Sequence, residues 1–425
     1  GTILYHKDMG LVPDVFNEII LNHLKGKMAI GHVRYSTTGD NTRENSQPMV
    51  IKYRNGQLAL GHNGNLVNAS ELREKLEEAG AIFQSTNDSE VILNLISRYS
   101  LISESIEEAI QKMMQDVRGS YSIVLLTPDK LIGMRDPLGI RPLCIGLLGN
   151  SYVLASESCA LDAVGAKFIR DVDPGEIVII SDDGLNSIRS DVKEESRLCI
   201  FEFIYFARPD SFLDGASVYQ ARIEAGRRLA MEHPVESDLV IGAPDSGITA
   251  AIGYSMESGI PYGQGLIKNR YVGRTFIQPT QAQRETGVRI KLNVMKNAIE
   301  GKRLVIIDDS IVRGTTTKRI VQALKEAGAK EVHMRVSSPP MKYPCYFGVD
   351  IPSSKQLVAS ISSVEEVRKL IGADSLAYLS LEGLLSTPVG ARCGFCSACF
   401  SGEYPMEVPR EGSKNLMDRK RQAKI

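Results

Sequence analysis

The chain has almost no charge of either sign to spare: 50 Lys and Arg against 51 Asp and Glu leave a formal net charge of -1. That balance gives no general electrostatic footprint for nucleic acid or an anionic membrane, so neither is expected as a partner without a local patch. Long apolar runs are also missing. No stretch approaches the ~18 residues that mark a membrane-spanning helix, and the opening GTILYHKDMG has neither the basic nor the apolar part of a secretory signal. Cysteine is scarce and unevenly placed, seven in 425 residues, which excludes a disulfide-built secreted scaffold and favours a reducing, cytoplasmic setting. No GxxxxGK[ST] occurs, so a Walker A loop is excluded. There is no initiator Met, and Gly1 leads straight into mixed polar and apolar residues, so the sequence is expected to begin inside a domain.

What is present suits a soluble globular chain of two or three domains, with 43% apolar and 24% charged residues. Residues 50–60, VIKYRNGQLAL, predict a hairpin turning at Asn55-Gly56. Helical patterns follow at about 69–80, 88–99 and 104–117, then short strands in SYSIVLL, KLIGM, PLCIGLL, SYVLAS and EIVII. The first 190 or so residues therefore read as a layered α+β domain. A polar stretch at 181–196 marks the expected boundary. Beyond it a helix at 216–231, strand DLVIGA, a helix to about 256, strand RLVIID, a helix at 315–327 and strand EVHMRV predict a mainly parallel sheet covered on both faces. Sites in such sheets lie beyond the carboxyl ends of the strands. The tail ends in Arg410, Lys414, Arg419, Lys420, Arg421 and Lys424, which without interleaved aromatics reads as a solvated helix rather than a nucleic-acid arm.

The strongest chemical signal is LVIIDDSIVRGTTTKR at 304–319. A strand delivers Asp308 and Asp309 to a hydroxyl-rich, Gly-containing turn that opens a helix. Backbone N–H groups and the positive helix end can then face a phosphate, with Ser310, Thr315, Thr316 and Thr317 offering hydroxyls. Paired carboxylates beside it suit sugar hydroxyls or a hydrated Mg²⁺. A plain helix cap would use the same residue types, but not so many in one pattern. The pattern resembles the phosphoribosyl pyrophosphate loop of the type I phosphoribosyltransferases. That resemblance implies ribose and metal carboxylates at Asp308 and Asp309, and a 5′-phosphate cradle from Arg313 and Gly314 to Thr315 and Thr316. IGAPDSGITAAIGY (241–254) suits a pyrophosphate and its metal, with Ser246 the oxygen ligand that the resemblance implies. KNRYVGRTFIQPTQAQRE (268–285) has the spacing of a basic, Gly-hinged lid, in which Lys268, Arg270, Arg274 and Arg284 neutralise a departing pyrophosphate. A solvated charged loop is the blander alternative.

GHVRYSTTGD (31–40), LGHNGNLVNASEL (60–72) and STNDSEVI (85–92) suit an amino-acid ligand. Arg34 can grip an α-carboxylate and Asp88 an α-ammonium. The Asn63 side chain and the Gly64 N–H can aim donors at one oxyanion. Turn-forming Asn-Gly is common, so each motif alone is weak. Together they resemble the glutaminase domain of the N-terminal-nucleophile amidotransferases, as do GMRDPLGIRPLCIG (133–146) and LASESCALDAVG (154–165). The resemblance implies glutamine-binding roles for Arg34 and Asp88 and an oxyanion hole at Asn63 and Gly64. That family's nucleophile is an N-terminal Cys carrying its own amine as base. About forty residues including it are expected before a segment like GTILYHKDMG, and neither Cys144 nor Cys159 has a context to replace it. The sequence as given is therefore expected to use ammonia but not glutamine.

Cys393, Cys396 and Cys399 form two Cys-x-x-Cys steps, a metal signal that fits Zn²⁺ or a [4Fe–4S] cluster equally. With RLCIFEFIYFARPDS (197–211), PPMKYPCYFGVD (339–350) and CGFCSACF (393–400), nearly the whole chain resembles the iron–sulfur-containing bacterial family of glutamine phosphoribosylpyrophosphate amidotransferases. The family pattern implies structural cluster ligands Cys199, Cys345, Cys396 and Cys399, with Cys393 spare. It implies an N-terminal-nucleophile αββα domain at 1–196, a type I phosphoribosyltransferase domain at 197–385, and a cysteine-bearing tail at 386–425. It also implies Mg²⁺, a homotetramer, restraint by purine nucleotides, and a reaction that makes 5-phosphoribosylamine from phosphoribosyl pyrophosphate and glutamine or ammonia. Two rivals share the 304–319 loop: a salvage phosphoribosyltransferase, and a phosphoribosyl-pyrophosphate-sensing regulator. The salvage enzyme leaves the amide-handling half and the cysteines unexplained, and the sensor would need neither the basic lid nor Arg34 and Asp88.

Overall fold

The computed structural model describes residues 1–34, 42–192, 194–269, 292–349 and 353–409. In the first half, strands β1 (Met49–Tyr53) and β2 (Gly56–Leu66) form the expected hairpin, with Met49 opposite Leu60. The two turn residues are Arg54 and Asn55, one position earlier than expected, and Gly56 opens β2 at a φ of 130°. Strands β3 (Gly119–Leu126), β4 (Leu131–Arg135), β8 (Glu176–Ser181) and β9 (Gly184–Arg189) complete an antiparallel sheet ordered β1-β2-β3-β4-β8-β9. A second sheet, β6-β5-β7, is built from β5 (Cys144–Leu148), β6 (Ser151–Ala155) and β7 (Lys167–Asp171).

Apolar residues at helical spacing decide what covers the sheets. Helices α1 (Ala69–Glu78), α2 (Asp88–Tyr99) and α3 (Ile106–Asp116) bury Leu72, Ile92, Ile96, Ile110 and Met113 against Leu60, Tyr121, Ile123 and Ile132 of the large sheet. The sheet's other face packs Ala59, Leu126 and Val178 on Leu143, Ile145 and Val172. Helix α4 (Ser158–Val164) closes the outer side by setting Leu161 against Cys144. The layers run helix, sheet, sheet, helix, as the αββα expectation requires.

The second half holds four parallel strands, β11 (Leu239–Gly242), β12 (Arg303–Asp308), β13 (Glu331–Val336) and β14 (Ser375–Tyr378), in that order. Leu304 to Ile307 are all buried, because both faces of a parallel sheet are covered. Helices α5 (Val218–Glu232) and α6 (Gly247–Ser258) cover one face through Leu229, Ala250 and Tyr254. Helix α7 (Thr315–Glu326) covers the other through Ile320 and Leu324.

A seam of two three-residue strands joins the boundary to the tail. Strand β10 (Arg197–Cys199) pairs in parallel with β15 (Gly394–Cys396), setting Cys199 opposite Cys396. Leu138 and Ile140 of the first half share one core with Leu198, Phe203, Val305 and Phe400. The cysteine-bearing tail is thus fastened into the junction as far as it is described. Its basic residues from Arg410 onward lie outside the described residues.

Candidate active sites and the cysteine cavity

The carboxyl ends of β11 and β12 meet where the sheet topology calls for a site. Gly247, the first residue of α6, lies so close to β12 that a Cβ there would meet the Ile307 carbonyl oxygen at 2.3 Å. That close approach sets Ser246 beside Asp309. The Ser246 hydroxyl donates to Asp309 Oδ1, and the Ser310 hydroxyl donates to Oδ2 at 2.7 Å. The Asp309 N–H donates to Asp308 Oδ1 at 2.9 Å, while Ser338 Oγ donates to the Asp309 carbonyl at 2.7 Å. Surrounding protein and the Asp309 charge push the Asp308 carboxyl well above its ordinary range. Two adjacent carboxyl groups and a hydroxyl form an oxygen-only donor set that a hydrated Mg²⁺ fits. Such ions commonly take one or two carboxylates and complete their shell with substrate phosphates and water.

Gly314, at a φ of 74°, turns the chain into α7, leaving Arg313, Thr315 and Thr316 exposed at a twelve-residue helix start. Arg313 donates to Gln356. Lys268 Nζ pairs with Asp245 Oδ2 at 2.6 Å, within the turn that carries Ser246. Arg270, Arg274 and Arg284 of the expected lid lie outside the described residues. Sequence reasoning missed Arg222, which is buried beside Asp309 and donates to the Phe203 and Ala207 carbonyls at 2.8 and 2.7 Å. Its only signal was a charge on the apolar face of α5.

In the first half, Asn63 and Gly64 sit mid-strand on β2, opposite Ser122 and Tyr121. Gly64 has a φ of 151°, and a Cβ there would meet the Ser120 carbonyl oxygen at 2.1 Å, so no other residue fits without moving a strand. Asp88 starts α2 and accepts from the Leu66 N–H at 2.9 Å, with His62 Nδ1 at 3.6 Å. Burial opposes charge on Asp88, but His62 and the N–H groups of Leu66 and Ser89 outweigh it and hold the carboxyl below its ordinary value. Burial, His62 and Arg34 together pull His32 down to about 4. His32 is therefore neutral near pH 7, and Arg34 supplies positive charge beside it. The structure thus sets Asp88 against His62, next to Asn63, while Arg34 lies two residues from His32 in sequence. Cys144 and Cys159 offer no substitute nucleophile: the Cys144 thiol donates to the Ala155 carbonyl and burial pushes it up to about 12, and burial also raises the Cys159 thiol.

Four thiols line one small, largely apolar cavity at the junction: Cys199, Cys345, Cys396 and Cys399, walled by Ile140, Phe201, Phe347 and Tyr404. Burial pushes the Cys199 and Cys399 thiols far up, and the neighbouring cysteines add to it. Arg141 lies beside Cys199 and Cys345 and pairs with Glu202 at 2.7 Å, both nearly fully buried. Cys393 is elsewhere, against Asp214 and Arg135. The cavity therefore fits a thiolate-bound group with these four and not with Cys393. Among the described residues no three Cys, His, Asp or Glu side chains are grouped for a single metal ion.

A glutamine-handling domain and a sugar-phosphate domain share one chain here, the class of an amidotransferase fused to a phosphoribosyltransferase. Residues 32–163 match the glutamine amidotransferase domain family, and residues 217–341 match the phosphoribosyl transferase domain family. The chain is 54% identical over 407 residues to the amidophosphoribosyltransferase of Archaeoglobus fulgidus, covering 95% of this chain and 89% of that protein. It is 51% identical over 409 residues to that of Bacillus subtilis, covering 95% and 85%. The solved structure of the B. subtilis glutamine phosphoribosylpyrophosphate amidotransferase, complexed with ADP and GMP, superposes with a TM-score of 0.87 at 50% identity, covering 95% of this chain and 88% of that one. The chain belongs to the amidophosphoribosyltransferase family, pentosyltransferases that take the first step of de novo purine synthesis. A salvage enzyme or a sensor would leave the matched first half unexplained.

Proposed function

We propose that phosphoribosyl pyrophosphate lies across the carboxyl ends of β11 and β12, where it receives ammonia, which the first half releases from glutamine only when the family's N-terminal Cys nucleophile precedes it. The observation that carries this reading is the fixed carboxyl pair at the carboxyl end of β12, with Ser246 and Ser310 both donating to Asp309. Asp308 and Asp309 orient the ribose hydroxyls. Arg313, Gly314, Thr315 and Thr316 receive the 5′-phosphate at the α7 start. Lys268, with Arg270, Arg274 and Arg284, neutralises pyrophosphate as it leaves. The ammonia lone pair forms the C1–N bond while the C1–O bond breaks, pyrophosphate departs with that electron pair, and a proton passes from nitrogen to solvent. Mg²⁺ held by Asp308, Asp309 and Ser246 would add charge that favours this departure. In the first half Arg34 and Asp88 grip the glutamine α-carboxylate and α-ammonium, and Asn63 and Gly64 face the amide oxygen.

We further propose that Cys199, Cys345, Cys396 and Cys399 hold a [4Fe–4S] cluster with a structural role. Zinc would draw four sulfurs to ~2.3 Å from one ion. The four thiols line one cavity that would take either, and the resemblance of 197–211, 339–350 and 393–400 to the iron–sulfur-containing family favours a cluster in which each binds a different iron. The ADP and GMP in the B. subtilis structure support purine nucleotides as regulators of this chain too, and we place it in the cytoplasm as a homotetramer. No helix among the described residues is long and apolar enough to cross a membrane. Iron and sulfide analysis of anaerobically purified protein tests the cluster. Equal iron and sulfide, lost in Cys399→Ser and kept in Cys393→Ser, is expected. Zinc alone, or dependence on Cys393, contradicts it.

A further inference from the structure

The segment that carries Cys345 does more than wall the cavity. Directly after that cysteine it crosses to the first half and lies against the back of β2. Asn65 Nδ2 donates to the Tyr346 carbonyl at 2.9 Å, and Ser120 Oγ donates to the Phe347 carbonyl at 2.9 Å. The Asn65 N–H in turn donates to Ser120 Oγ at 3.2 Å, tying the two clamps together. Gly348 follows at a φ of 97°, and a Cβ there would meet an Arg141 nitrogen at 2.8 Å and the Gly64 carbonyl carbon at 3.3 Å. Asn65, Ser120, Tyr346 and Phe347 are all buried, Ser120 fully. The two bonds to the Tyr346 and Phe347 carbonyls each span more than 220 residues of chain. They converge on β2, which holds Asn63 and Gly64, and on its neighbour β3, and nothing in the reaction itself uses them.

We propose that Asn65 and Ser120 are positioning residues: by clamping the Tyr346–Phe347 carbonyls they make the phosphoribosyltransferase half a backstop for the oxyanion strand. Gly64 can neither retreat from Ser120 nor twist toward Gly348, so its N–H keeps one direction. The physical stake is large, since removing one oxyanion donor costs on the order of 10²–10³ in kcat, and misplacement by about an ångström costs on the order of 10². The proposal rests on the reading of Asn63 and Gly64 as the oxyanion hole.

The test compares Asn63→Ala, Asn65→Ala and Ser120→Ala in the full-length enzyme carrying the N-terminal Cys nucleophile, measuring glutamine hydrolysis, ammonia-supported phosphoribosylamine synthesis and amide hydrogen exchange. Asn65→Ala is expected to lower the glutaminase kcat about 10- to 100-fold. KM for glutamine should stay within about threefold and ammonia-supported synthesis within about twofold, because neither the substrate grip nor the second site is touched. Exchange should rise at residues 62–66 and 345–348 and not in α5 or β12. Ser120→Ala should do the same less strongly. Should Asn63→Ala hydrolyse glutamine normally, the oxyanion reading falls and this inference with it. If Asn63→Ala is impaired while both clamp variants are normal, the inference alone is overturned. Equal loss of both activities with exchange rising throughout the chain also overturns it, by making the clamp merely structural.

Discussion

A single carboxylate, Asp136, fastens the turn that leads from β4 to the cysteine cavity. It accepts from the N–H groups of Tyr121, Leu138 and Ile140, each near 3.1 Å, and Ile140 goes on to wall the cavity. Burial outweighs those donors and Arg135, raising the carboxyl from 3.8 to about 6. The folded state thus keeps its proton to higher pH than the unfolded chain. This contribution to stability is full below about pH 4, is lost as pH rises through about 6, and totals roughly 2–3 kcal/mol. Asp136→Ala strands three buried donors. It should cost about 3 kcal/mol near pH 4.5 and less at pH 7, as read from urea unfolding at the two values. A penalty that grew with pH would contradict the assignment. In the sequence Asp136 stood only inside a family-like motif, because a residue that serves backbone groups leaves no periodic signature. Asn65 and Ser120 escaped for the same reason, whereas Asp308 and Asp309 were legible from the strand that delivers them and the hydroxyls that follow.

At the scale of elements, apolar periodicity located the helices and long strands of both halves to within a few residues. It could not find β10 and β15. Each is three residues long, too short for any period, and their pairing joins positions nearly 200 residues apart. The five-residue π-helix Glu202–Phe206, read only as part of a motif, was invisible for the same reason. The close packing of α5 on α6 was likewise hidden, since glycines inside a helix signal weakness until their neighbours are known. A Cβ on Gly226 would meet the Ala250 carbonyl oxygen at 1.9 Å, and one on Gly253 the Ile223 carbonyl oxygen at 2.0 Å. Gly226→Ala must push the helices apart, and α6 carries Ser246 at its start. We expect a loss of about 3 kcal/mol in stability, together with weaker binding of phosphoribosyl pyrophosphate by calorimetry. Unchanged binding would mean that α6 can slide without moving Ser246.

For the whole molecule, the two halves are joined by buried charge as well as by apolar core. Arg135 of the first half grips Asp214 of the second through two bonds, at 3.0 and 2.6 Å, and Arg141 grips Glu202. Removing one partner of such a pair strands the other and costs roughly 3–5 kcal/mol. Asp214→Ala should therefore lower the unfolding midpoint of both halves together, seen as one transition by calorimetry; two separated transitions would show independent halves. The expected division at 196/197 falls at the first residue of β10, where the chain is most tightly shared between the halves rather than a loose linker. Composition could bound the number of domains, but not how they are tied, because these ties are single pairs far apart in sequence.

The central claim is that Asp308 and Asp309 serve transfer of a phosphoribosyl group to ammonia. It is tested most directly by supplying phosphoribosyl pyrophosphate and Mg²⁺ with ammonia, or a purine or pyrimidine base, as acceptor, in the natural protein and in Asp309→Asn. Pyrophosphate release with phosphoribosylamine formed from ammonia alone, reduced at least about 100-fold in the variant, is the predicted result. Nucleotide formed from a free base, or ammonia-supported turnover undiminished in Asp309→Asn, would contradict it.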